Sequence, residues 1–564
     1  MFPIFKTGQL GLDSPEAKRF ESEFKLMEAD LKTDWQKRVS GDGIYVGYRV
    51  LRDFYKGAQW TFQKLSGKAR TYNYLATVVE NYTAFLTNEP PQNTGVAKRV
   101  DDPMERALAE ARTKILDAIH EQNSLPLVFQ RGGRTGSLFG DTFIYGPIPE
   151  FDVDDNGNKN FVGIKYTNED NPESILPIWK DDNFTELDGF VKIVRVSMAK
   201  AERLVGEDMK RLGIKLQADP GWEKSTGNIF QTNQKMVTFR MYWTGEEYAL
   251  FLGEGNRMID YAKHDFGFIP LKFIPNIHLP GEPRGTSDIE NELDAQQEYN
   301  ERTTDLGDLI KELAKPTYWG KNIDAITEIR SGETVIYQLG DDAELNAMPR
   351  SGEVFPVEKY TQERKQDIVQ LSGMNNVLYP QSNVMQATGR ALSVIMQGVN
   401  NKISLRKEWW VKALKELNEQ SLRLMEIYMP ESRPIIGGWY ATDVFISSVL
   451  VRSVSDELNK FAQKTQSLTT TMHNIGIPNP SEEQKLMKEE LADPVLAIEI
   501  SRQPGMQMQQ GATNQTPMIT TEEDREEEMA MAAAGQASPV SAEGAIAQRN
   551  QRAGQPNRVA PTKK

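Results

Sequence analysis

The chain has 564 residues, 39% of them apolar and 26% charged, with 80 acidic against 66 basic side chains and a formal net charge of -14. It has no cysteine, which excludes disulfides, thiolate metal sites and cysteine nucleophiles, and its four histidines form no His-x-x-x-His or His-Glu-x-x-His pair of the kind a zinc enzyme needs. The acidic balance argues against a broad basic surface gripping nucleic acid, because neutralising phosphates is what supplies that affinity.

The length exceeds what one core normally serves, so two to four subdomains are expected. No apolar run is long enough to span a membrane, and Met1-Phe-Pro-Ile-Phe-Lys6 has no basic leader before an apolar stretch, so synthesis in a cytoplasm is expected.

Ser14-Pro15 predicts a helix start, with Phe20, Phe24, Met27, Leu31 and Trp35 as its apolar stripe. After the Gly41-Asp42-Gly43 turn, a helix is predicted over 71–87, stopped by Pro90-Pro91, and another over 103–123. From 138 to 275 the texture changes to short β-rich runs, interrupted by a helix over 198–212. Ile269 to Pro275 reads as a buried strand. The loop Leu279-Pro-Gly-Glu-Pro-Arg-Gly-Thr286 follows it, and Ser287-Asp-Ile-Glu290 reads as a capping box opening a helix that ends before Pro316. Residues 317–357 read as a compact strand insertion, with Thr334 to Leu339 its clearest strand and Gly340-Asp341-Asp342 a turn. A helix over 358–376, an irregular stretch over 377–390 and a long helix over 391–428 come next, the last with an apolar stripe broken only near Arg406. Residues 440–500 read as helical. Beyond Gln503 there are no aromatics, and the composition is that of a flexible interaction tail.

The helix after Ser287 carries six carboxylates, Asp294, Glu298, Glu301, Asp305, Asp308 and Glu312, spaced by four, three, four, three and four, which puts them on one face. Neighbouring like charges weaken an isolated helix by roughly 1 to 2 kcal/mol for such a stripe, so tertiary contacts must hold it. The back face, with Ile289, Leu293, Leu306, Ile310 and Leu313 around Gln296, Asn300 and Thr303, is too sparse to bury alone and suggests packing among several copies. The stripe reads either as an acidic wall along which a polyanion slides or as a solvated helix face.

The succession of strand, Pro-Gly loop, helix, small β insertion, helix, irregular loop and long helix resembles the phage portal proteins. Three runs carry the resemblance. Asn73-Tyr-Leu-Ala-Thr-Val-Val-Glu-Asn-Tyr-Thr-Ala-Phe-Leu86 with Glu89-Pro90-Pro91 is similar to the family's early wing helix and its proline stop. Gly136-Ser-Leu-Phe-Gly-Asp-Thr-Phe-Ile-Tyr145 is similar to the segment where a helix gives way to a strand. Ile269-Pro-Leu-Lys-Phe-Ile-Pro-Asn276, followed by Gly285-Thr-Ser-Asp-Ile289 and Tyr299-Asn300, is the most specific.

The resemblance implies an α+β portal fold: wing over 1–285 and 391–450, stem helices over 286–315 and 358–376, clip over 316–357, tunnel loop over 377–390, crown over 451–502 and a disordered tail over 503–564. It implies a ring of about twelve copies at one capsid vertex, with no enzymatic activity or cofactor of its own. Double-stranded DNA would pass through it, and a terminase motor, then a head-tail adaptor, would dock on it. Major capsid and scaffold proteins would be further partners, with no membrane. Such a protein belongs to the virion and assembles in the host cytoplasm. The tunnel-loop residues would be Gln381, Ser382, Asn383, Gln386, Thr388 and Arg390, polar groups able to touch phosphates without an ionic grip. An enzymatic DNA translocase ring and a cytoplasmic helical adaptor are the alternatives.

Other motifs lead elsewhere. Asp152-Val-Asp154-Asp-Asn156-Gly157 resembles the opening of an EF-hand loop, but its twelfth position is Gly163, and a hairpin turn is the better reading. Arg131-Gly-Gly-Arg-Thr-Gly136 is glycine-dense without the Gly-Lys-Ser/Thr of a nucleotide-binding loop. Trp409-Trp410 reads as core or subunit interface rather than a base-stacking platform.

Overall fold

The computed structural model describes residues 14–60, 70–211, 235–321, 344–347, 354–373 and 389–447, with short interruptions at 42–45, 154–158, 185, 254–256 and 315–317, and single helical positions between 461 and 488. The chain divides into two units, Met1–Pro478 and Asn479–Lys564, and everything below concerns the first.

The protein mixes helix and sheet in the α+β manner. It opens with α1 (Pro15–Ser40), α2 (Tyr48–Tyr55), α3 (Tyr74–Leu86), β1 (Gln92–Gly95), α4 (Pro103–Gln122) and α5 (Leu125–Phe139). Strands β2 (Asp141–Val153), β3 (Lys159–Asn168), β4 (Ile175–Trp179) and β5 (Leu187–Ser197) follow, then α6 (Met198–Arg211) and strands β6 (Met236–Thr244), β7 (Glu247–Leu252), β8 (Arg257–Lys263) and β9 (Leu271–Pro275). The rest comprises α7 (Leu293–Ala314), β10 (Tyr318–Lys321), β11 (Glu344–Ala347), α8 (Val354–Ser372), α9 (Gly389–Tyr428), α10 (Arg433–Ile436) and β12 (Thr442–Phe445).

Two antiparallel sheets form the body, one with order β3-β2-β9 and one with order β4-β5-β6-β7-β8, while β1 pairs with β12 and β10 with β11. Ser14 caps α1 by accepting the Ala17 amide. The predicted stripe of α1 packs on the five-stranded sheet, with Phe20 stacked on Tyr242 at 4.7 Å and Phe24 on Phe251 at 4.2 Å between centroids. The larger core joins α3, α5, β2, β9 and the middle of α9.

Several expectations are corrected. Helix α2 was not anticipated, and of α5 only its end was, through the Gly136–Tyr145 run in which a helix gives way to a strand. In α5 the glycines that resemble a phosphate loop instead serve close packing: a Cβ on Gly132 would lie 2.4 Å from the Trp410 ring and one on Gly133 2.9 Å from Thr87. Trp410 is buried against Phe129, in agreement with a core role. Strands β2 and β3, on either side of residues 154–158, which lie outside the described residues, pair antiparallel as the hairpin reading expects. Helix α8 spans Val354–Ser372 rather than 358–376, because Gly373 takes a left-handed conformation (φ 69°) that stops it. Within the stretch expected to be helical from 440, Thr442–Phe445 forms strand β12 after the left-handed Gly437 and Gly438. Thr334 to Leu339 and Gly340-Asp341-Asp342 lie outside the described residues.

Candidate functional site

The acidic helix α7 grows out of a tight junction. Gly140, in left-handed conformation at φ 86°, lets the start of β2 meet the loop before α7 backbone to backbone: a Cβ there would sit 2.2 Å from the Gly285 carbonyl oxygen. The fully buried Asp141 carboxylate accepts the Gly285 amide at 2.7 Å and the Tyr48 hydroxyl, and the Arg38 and Arg284 guanidinium groups each stand 3.6 Å from it. Two opposing cations and two hydrogen bonds offset the cost of burying that charge.

The predicted capping box does not form. Ser287 accepts the Ile289 amide at 3.3 Å, but its hydroxyl donates to the Leu138 carbonyl at 2.7 Å, and Glu290 accepts the Val46 amide from across the fold. A 3-10 turn over Glu290–Glu292 leads into α7 instead. Asp288 accepts the Ser137 hydroxyl at 2.5 Å and is gripped by both terminal nitrogens of Arg406 from α9. The Arg406 guanidinium lies 4.5 Å above the Tyr82 ring, and the Tyr82 hydroxyl donates to the Ser372 carbonyl at the end of α8. The break that Arg406 makes in the stripe of α9 is thus the cation that fixes the base of α7. Burial, with Asp288 nearby, pushes the neighbouring Glu292 carboxyl up to about 8.

The polar part of the back face of α7 is bonded within its own chain, while Ile310 stays exposed. Gln296, Asn300 and Thr304, four residues apart, form a polar ladder along the irregular segment before α3. Gln296 donates to the Tyr72 carbonyl at 2.6 Å and accepts the Tyr74 amide at 3.2 Å; Asn300 accepts the Tyr72 amide at 3.0 Å, and Thr304 accepts the Arg70 amide at 3.1 Å.

Opposite this ladder stand the predicted acids. Asp294, Asp305 and Asp308 are exposed, while Glu298 and Glu301 are partly buried. The stripe is not uniform, because Glu298 turns into the seam with α8. It accepts the Tyr360 hydroxyl at 2.5 Å and lies 3.7 Å from Arg364, whose guanidinium covers the Tyr360 ring at 4.9 Å. A cleft of about 430 Å³ follows this seam, lined by Asp294, Glu298, Arg364 and Asp367 among others. Asp305 pairs with Arg302 at 3.3 Å, and Glu301 accepts a hydrogen bond from Gln297. Glu312 belongs to the helix, but its side chain lies outside the description.

Of the predicted tunnel-loop residues, Gln381, Ser382, Asn383, Gln386 and Thr388 lie outside the described residues. Arg390 falls in the first turn of α9, which starts at Gly389, and its side chain lies outside the described residues. Tyr360 and Arg364 were not picked out from the sequence, since neither breaks a pattern on α8. Among the described residues no group of three or more histidine and carboxylate side chains is placed to hold a metal ion, and no helix is long and apolar enough to cross a membrane.

No protein-family model matches the chain, and a search of curated proteins returned no match.

Proposed function

We propose that the chain is one subunit of a portal-type ring, closed around an aqueous channel through which duplex DNA is packaged and later released. The observation that carries this reading is the arrangement from β9 to α9. Helices α7 and α8 pack side by side; β10 follows α7 after three residues, β11 precedes α8 by six, and the two strands pair with each other. The 40-residue α9, about 60 Å long at 1.5 Å per residue, is tied to the base of this hairpin through Arg406. In the reading, α7 and α8 are the stem, the β10–β11 region the clip, and the body with α9 the wing. Residues 377–390, 451–502 and 503–564 supply tunnel loop, crown and tail.

Asp294, Glu301, Asp305 and Asp308 serve as the channel wall. Repeated round a ring, they repel phosphates, while screening within about 8 Å at physiological salt keeps the barrier to passage low. The subunit performs no chemistry. A terminase motor docks during packaging, an adaptor afterwards, and capsid and scaffold proteins surround the ring in the virion.

Electron microscopy of the purified chain tests the reading: rings with an open axis support it, and compact monomers or solid particles reject it. Replacing Glu301, Asp305 and Asp308 together by lysine is expected to slow DNA packaging while rings still form. Normal packaging by that variant removes the role of the stripe, and ATP hydrolysis by the pure protein would favour a translocase instead.

A further inference from the structure

Strand β9 lies at the edge of its sheet, and the register shows which of its backbone groups are unused. The Asn276 amide donates to Gly140 and the Gly146 amide to Pro270, so the hydrogen-bonded pairs between them are Thr142 with Ile274 and Ile144 with Lys272. Phe273, opposite Phe143, falls in the alternate position, so its N–H and C=O point away from β2, as does the Leu271 carbonyl. Among the described residues no strand pairs with this edge.

The edge opens into a groove of about 520 Å³ held between two layers. One wall is α9, with Trp409, Lys412, Ala413, Glu416 and Gln420. The other is the β4–β5 hairpin, where Trp179 packs edge-on to Phe273 at 5.3 Å and Phe184 covers Trp179 at 5.9 Å. Three side-chain atoms shielded from solvent at this groove lack a hydrogen-bond partner: Trp179 Nε1, His278 Nδ1 and Gln420 Oε1. The lining carries two charges of each sign, Glu186, Lys272, Lys412 and Glu416, of which Lys272 pairs with Glu416 at 3.0 Å and Glu186 with Lys180 at 3.3 Å, while Lys412 lies 5.5 Å from the Trp409 ring.

From this geometry we infer that the groove binds an extended, uncharged segment of another protein, which adds to the free edge of β9 as a fourth strand. An edge strand without a neighbour leaves donors and acceptors that a second main chain satisfies. Trp179 and Gln420, one on each wall, each hold a polar atom without a partner in the free chain. Groove charges that balance internally call for a neutral occupant. Its side chains would alternate between the aromatic wall and α9, which favours apolar residues at every second position. The inference does not depend on the ring reading, since both walls belong to one chain.

The test uses the full chain and the peptide acetyl-Ser-Val-Thr-Leu-Thr-Val-Ser-amide, followed by hydrogen exchange of the Phe273 amide and by fluorescence titration. Saturating peptide is expected to slow exchange at Phe273 at least tenfold, and the same peptide N-methylated at alternate residues is expected to have no effect. Phe273→Pro removes the outward N–H without touching the ladder to β2, and it and Gln420→Leu are each expected to weaken binding at least tenfold. Should Phe273→Pro fail to fold, Gln420→Leu and the N-methylated peptide still decide. Absent protection, or equal protection by both peptides, overturns the inference. So does protection of Phe273 in the peptide-free chain that rises with protein concentration, which would make a second copy of this chain the occupant.

Discussion

Arg406 of α9 and Asp288 before α7 form a bidentate ion pair in which both side chains are buried. The pair joins the longest helix to the start of the acidic one, so the orientation of α7 is set by a bond made more than a hundred residues away. Removing one partner leaves an uncompensated buried charge, which costs roughly 3–5 kcal/mol. Arg406→Ala and Asp288→Asn are each expected to lose stability on that scale in urea unfolding. Arg406→Lys should recover little of it, because an ammonium cannot make the two parallel bonds. A loss below about 1 kcal/mol in Arg406→Ala would show that the pair is not an anchor.

Glu292 makes the junction sensitive to pH. Its folded-state value of about 8 lies above the ordinary 4.5 of an unfolded glutamate, chiefly through burial and then through the Asp288 charge, with Lys402 acting in the opposite direction. Between those values the folded chain binds more protons than the unfolded one, so this group's contribution to stability falls as pH rises from about 4.5 to about 8. Glu292→Gln is expected to remove that decline and to melt higher than the parent at pH 8, by an amount on the order of a few kcal/mol at most. Parallel melting curves for the two proteins from pH 5 to 8 would sink this assignment.

The sequence made the periodic elements legible. The stripe of α1, the helices α3, α4 and α6, and the run of strands from 141 to 275 follow from apolar spacing, caps and prolines. The acids of α7 were legible as a face for the same reason, but their environments were not. Glu298 is drawn into the seam by Tyr360 and Arg364, residues whose pairing depends on how two helices sit side by side. The extent of helix α5 was not legible, beyond its end in the Gly136–Tyr145 run, because its Gly132, Gly133 and Gly136 look like a loop until Trp410, Thr87 and Thr142 are seen pressed against them. The back face of α7 looked too polar to bury, because a ladder to a segment more than two hundred residues away leaves no local trace.

Gly132→Ala tests the close packing of α5 on α9. Alanine favours a helix over glycine by about 1 kcal/mol, whereas forcing a methyl into a filled core costs roughly 1–3 kcal/mol. With the new Cβ 2.4 Å from the buried Trp410 ring, the clash is expected to win and the variant to be less stable than the parent. Trimming the ring in Gly132→Ala/Trp410→Leu should cost less than the sum of the two single changes. A stabilised Gly132→Ala variant in thermal melts would contradict the packing.

The ladder of Gln296, Asn300 and Thr304 yields the last expectation. Gln296→Leu keeps the helix and much of the side-chain volume but removes two hydrogen bonds, leaving the Tyr74 amide and the Tyr72 carbonyl with the 3.2 Å bond they make to each other. Asn300→Ala orphans the Tyr72 amide and also removes the partner of Gln59. Each lost hydrogen bond costs about 0.5–1.5 kcal/mol, a sum large enough to loosen this segment from α7. Both variants are therefore expected to show faster hydrogen exchange at Tyr72 and Tyr74 and quicker trypsin cleavage after Arg70, while the five-stranded sheet keeps its protection. Thr304→Val, which removes the bond to the exposed Arg70 amide and the hydroxyl's bond to the Asn300 carbonyl within the helix, should have a much smaller effect. If exchange at Tyr72 were unchanged in Gln296→Leu, the segment would be held by the Tyr72 and Tyr74 rings packed on Tyr299 at 6.0 and 5.3 Å rather than by the ladder.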